Sequence, residues 1–167
     1  RAGIGRQFLA QYGYSLPADE QKGSLDVTKL TYAQWRRAIS ADYDSLWALR
    51  GELLKYRMES QDYFAEVKEA ELAYTPTLWD FAVLNWTDWL AEQEAGPRPP
   101  DAWLFVKPEF KAGYSRSAPP ALKAAAIFED AASVTAADMD FAREYWRLQR
   151  LLLPFEHGNL AEAKDPA

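Results

Sequence analysis

The sequence predicts an all-α fold, an irregular bundle or array of about four to six helices with one short extended segment near 103–106. Three observations predict it. Apolar residues recur at intervals of three and four along most of the chain. Helix-start signals stand at the head of those stretches: Thr31 with Gln34, Thr75-Pro76-Thr77, Pro119-Pro120, and Thr135 with Asp138. The chain is also long enough, at 167 residues and 49% hydrophobic, to bury a core without disulfide or structural metal.

Ile4, Phe8, Leu9 and Tyr12 follow helical spacing and predict a short first helix before a loop around Pro17 and Gly23. Thr31 and Gln34 form a capping box, with Leu30 and Trp35 placed as a hydrophobic staple. Trp35, Ile39, Tyr43, Leu46, Leu49 and Leu53 then mark an amphipathic helix of about 25 residues, the longest expected. Residues 58–74 read as a connector with some helix. Pro76 and Thr77 open the next helix, in which Asp80 can cap the start, and it runs to about Gln93. Its apolar residues lie nearly all round, which predicts a helix with neighbours on both faces.

Gly96-Pro97-Arg98-Pro99-Pro100 ends that helix and is the clearest break in the chain. Trp103 to Val106 reads as a short strand or an extended segment laid over the core. Pro119 and Pro120 start a further helix through Leu122, Ala125, Ala126 and Phe128. Thr135 and Asp138 are placed to cap a last helix along Met139, Ala142, Tyr145, Trp146, Gln149 and Leu153, which Pro154 is expected to end. Residues 1–160 read as a single helical domain and 161–167 as a tail or linker. With Arg1 in place of Met, the whole reads as a fragment of a longer chain.

Net charge is −6 and the imbalance is local: residues 61–110 carry three basic and ten acidic side chains. This argues against a nucleic-acid partner. No apolar run is long enough for a membrane span, since Asp80, Asn85 and Asp88 interrupt the best candidate.

Catalytic patterns are missing. The single His157 cannot build a Ser/His/Asp triad or an imidazole metal cluster, and Gly3 and Gly5 stand in no phosphate-loop pattern. Asp62 with Glu66 and Asp140 with Glu144 share helical faces, as so many carboxylates must; Asp140, Arg143, Glu144 and Arg147 read as surface ion pairs. Hence no enzyme, no cofactor and no metal is expected. Asp88, on a nearly apolar helix, calls for an arginine partner such as Arg36 or Arg147.

Seven tryptophans are the most unusual feature. Trp35, Trp79, Trp89 and Trp146 fall at helix-packing positions. Trp47, Trp86 and Trp103 are less well explained as core, and they are the candidate contacts for a partner protein or a glycan.

The run from Thr75 to Trp86, and most specifically Pro76-Thr77-Leu78-Trp79-Asp80-Phe81, resembles a segment near the N-terminus of large bacterial alpha-2-macroglobulin family proteins. The acidic helix end, the prolines from Pro97 to Pro100 and the aromatic segment from Trp103 to Phe105 are similar in order. The likeness spans roughly residues 30–130. It implies an exported, periplasmic or envelope-associated bacterial protein of protease-inhibitor or defence type. The reactive parts of that family, a bait segment and a Cys-Gln thioester, have no counterpart in this Cys-free chain, so no functional residue carries over. The expected role is a non-catalytic structural and interaction domain, packing on neighbouring domains of its own chain, on another envelope protein or on a protease. The alternative is a glycan-binding helical module using exposed tryptophans.

Overall fold

A computed structural model describes residues 2–16, 30–60, 72–93, 113–136 and 139–157. Among them are five α-helices: α1 (Ala2–Tyr12), α2 (Tyr32–Leu53), α3 (Leu78–Gln93), α4 (Pro120–Val134) and α5 (Asp140–His157). Short 3-10 turns occupy Gly13–Ser15 and Met58–Ser60. The described residues include no strand, and their one isolated bridge is antiparallel, Arg57 with Thr77. The all-α expectation holds. The Pro-rich break, the 103–106 segment and the tail at 161–167 lie outside the described residues, as do the loop around Pro17 and Gly23 and the pair Asp62 and Glu66.

By its internal packing the chain divides into two compact units, Arg1–Arg50 and Gly51–Ala167. In the first, α1 buries Ala2, Gly5 and Leu9. The sequence placed Ile4 on that face, but it is 74% exposed. Gly5 is the reason: a Cβ there would stand 2.9 Å from Ile39 Cγ1, so a hydrogen in that place lets the α1 backbone approach α2 closely. Phe8 packs on Trp35 with ring centroids 4.8 Å apart. The predicted capping box forms, Gln34 N–H donating to Thr31 Oγ1 at 3.2 Å and Thr31 N–H to Gln34 Oε1 at 2.8 Å. With 22 residues, α2 is the longest described helix.

In the second unit, residues 56–58 pair with 76–78 ahead of α3, Met58 N–H donating to Pro76 O at 3.0 Å and Leu78 N–H to Tyr56 O at 2.9 Å. Thr77 then caps α3 through its hydroxyl oxygen, 3.2 Å from Asp80 N. The helix ends at Gln93 as expected.

Neighbours on both faces are found for α4. Helix α4 packs on both α3 and α5, and Ala121, Ala124, Ala125, Ala126, Ala131 and Ala132 bury it nearly all round. Alanine has a short side chain and no rotamer entropy to lose, so helices close on it from several directions. On α3, Asp88 is exposed and Trp79, Val83, Trp86 and Leu90 are buried.

Thr135 closes α4, and its expected partner Asp138 lies outside the described residues. Its hydroxyl donates back to Ala131 O at 2.6 Å, and its backbone is extended at φ −59° and ψ 128°. Pro154 does not end α5, which continues to His157. Proline removes one N–H from the helical ladder, and the turns on either side are enough to carry the helix through.

Candidate functional site

The three tryptophans singled out from sequence fall in different settings. Trp47 is half-buried on α2, with the Arg50 guanidinium 4.9 Å from its ring centroid. Trp86 is 1% exposed and meets Tyr114 edge-on at 5.5 Å, so it presents no face to a sugar. Trp103 lies outside the described residues. Trp79, Trp89 and Trp146 are core residues, at 0%, 4% and 0% exposure. Trp35 is half-buried.

The buried carboxylate that demands partners is Asp80, not Asp88. Burial raises the proton affinity of Asp80, and hydrogen bonds from Thr77 and Trp146 oppose that shift. Its Oδ2 accepts from Thr77 N–H at 3.1 Å and from the Thr77 hydroxyl at 2.5 Å; its Oδ1 accepts from the Trp146 indole at 2.7 Å. An acid shut away at 1% exposure has no route to a substrate, and this group ties α3 to α5. Asp88 sits on the exposed side of α3, so no desolvation cost requires the arginine that the sequence suggested.

Arg147 instead pairs with Glu144, and Arg143 with Asp140, on the outer face of α5. The Glu144–Arg147 pair was expected, whereas Arg143, expected beside Glu144, reaches Asp140; such solvated pairs contribute little to stability. Deeper down, Arg150 is 6% exposed and donates through Nε to Glu129 of α4 at 3.2 Å.

The sequence reading missed an apolar strip on the same outer face. Phe141, Leu148 and Leu151 are 65%, 52% and 48% exposed. Their spacing of seven and three is a helical signal in its own right, overshadowed by the stronger inward series that contains Ala142, Trp146 and Leu153. Leu151 also borders a groove of about 390 Å3 between α4 and α5, walled by Phe128, Ala132, Arg147 and Arg150. A smaller groove of about 150 Å3 opens between α3, α4 and α5.

Among the described residues no cluster of three or more histidines, aspartates or glutamates is placed to hold a metal ion. No described helix is long and apolar enough to cross a membrane. Comparison with family models, with curated proteins and with solved structures gives no match.

Proposed function

We propose that this chain is a non-catalytic structural and interaction domain of a large exported bacterial protein of the alpha-2-macroglobulin type, in a protease-inhibitor or envelope-defence setting. It docks onto a neighbouring domain or an envelope partner through the outer face of α5. The observation that carries the docking role is the apolar strip of Phe141, Leu148 and Leu151, continuous at Leu151 with the groove between α4 and α5. Apolar contact area with a charged rim, here Asp140, Arg143, Glu144 and Arg147, is the composition of a protein-binding patch. What supports the family setting is the likeness of Pro76 to Phe81 alone. Three polar groups of the core, Thr77, Asp80 and Trp146, are engaged with one another, as suits a scaffold.

The test is a photo-crosslinking residue at position 148 in the protein as its cell produces it, with the same residue at exposed position 49 of α2 as control. Crosslinks from 148, and not from 49, to one defined polypeptide segment are expected. A crosslinking pattern no different from that of the control site overturns the docking role, and recovery of the protein from the cytoplasm alone overturns the exported setting.

A further inference from the structure

Among the described side chains of α5, Phe141 is the most exposed of the large apolar ones, at 65%. It stands ten residues before Leu151, about 15 Å along the helix axis. Leu151 borders the groove between α4 and α5, whose lining is mainly apolar. The groove's volume of about 390 Å3 exceeds the roughly 150 Å3 that holds a benzene ring. Its accessible wall is Leu151, 48% exposed, with Ser133 and Arg147, which are exposed as well. One surface therefore carries a projecting ring and, a fixed distance away, a recess large enough to receive one.

A face that bears both knob and recess is complementary to itself, which is the requirement of a two-fold pairing. Crossing α5 on α5 in antiparallel fashion brings Phe141 of each copy to the Leu151 end of the other, with Leu148 close to the axis. Charge fits the same occupant. The rim is neutral, because Arg143 pairs with Asp140 and Arg147 with Glu144, although the whole chain carries −6. Arg150, in the groove, is met by Glu129. A strongly acidic or basic partner finds no complement on such a rim, whereas an identical face meets no like-charge field. Three side chains and one groove fall short of the roughly 800 Å2 per partner of a standard stable interface, and a two-fold pairing uses each contact twice. We propose that the partner on this face is a second copy of the chain, each Phe141 seated in the other's groove, as a weak, reversible dimer. This rests on the reading of the outer face of α5 as a docking surface and names its occupant.

Sedimentation velocity of the 167-residue chain tests it. The chain should run as a monomer at about 1 μM and mostly as a dimer at about 1 mM, as a small interface dictates. Phe141→Ala removes the knob, and Ser133→Trp fills the groove from its rim. Each should weaken association at least about tenfold and leave the far-UV helical signal unchanged, since both positions are exposed. Mixed in equal amounts, the two variants should associate more tightly than either does alone, because Phe141 of the Ser133→Trp copy meets the open groove of the Phe141→Ala copy. A chain that stays monomeric at about 1 mM overturns the proposal, as does a dimer indifferent to both variants or a mixture no tighter than its components. If the chain is monomeric while position 148 crosslinks to a different polypeptide, the second copy alone is refuted; if 148 also behaves like position 49, the docking surface falls with it.

Discussion

The Trp146 indole N–H donates to Oδ1 of Asp80 at 2.7 Å, across 66 residues of sequence and with both side chains at most 1% exposed. This bond joins the first turn of α3 to the middle of α5. Asp80 also completes the cap of its own helix through Thr77, so one carboxylate serves a local and a long-range contact at once.

Trp146→Phe should therefore cost more than its lost volume. It removes a donor from a buried carboxylate, a loss of about 2 to 3 kcal/mol for a group that water cannot reach. Urea unfolding of Trp146→Phe, Asp80→Asn and the double variant measures it. The two effects should be non-additive by more than about 0.5 kcal/mol, since the residues share one bond. Simple additivity would show that the bond contributes nothing specific.

Asp80 should also shape the pH dependence of stability. Burial raises its folded value above the ordinary 3.8, so in the window between the two the folded state holds the proton more firmly than the unfolded state. Its contribution is fully present below 3.8 and is lost as pH rises through the raised folded value. Unfolding free energies at a series of pH values should show this decline, superimposed on the other carboxylates. In Asp80→Asn that part of the slope should vanish, and an unchanged slope would contradict the burial argument.

Glycines three and five should respond in opposite directions to alanine. Gly3→Ala meets nothing within 4 Å and gains helix propensity, raising stability by up to about 1 kcal/mol. Gly5→Ala gains the same propensity but drives its Cβ to 2.9 Å from the buried, β-branched Ile39. Overpacking of that kind costs about 1–3 kcal/mol, so the net change should be a loss of about 1 kcal/mol. Thermal unfolding of the two variants, side by side, reads the sign.

The helices themselves are legible in the sequence, because they depend on neighbours three and four residues apart: the Thr31 and Gln34 box, the start of α3 at Thr77, its end at Gln93, and Pro120 in the first turn of α4. The local ion pairs of α5 follow for the same reason. The outer strip Phe141, Leu148, Leu151 carries a helical period too, but spacing alone does not say which of two apolar series on one helix meets the core.

Local spacing along the chain therefore suffices for the all-α class, the starts of α2, α3 and α4, and the composition of their apolar faces. Packing between distant segments makes alanine-rich α4 an enclosed helix, turns Gly5 and not Ile4 toward α2, buries Trp86, and leaves Asp80 as the carboxylate in need of a distant donor. Those outcomes depend on how closely two backbones approach and on which polar atoms lose water together. Such distances are set between segments far apart in the chain, where no local spacing records them.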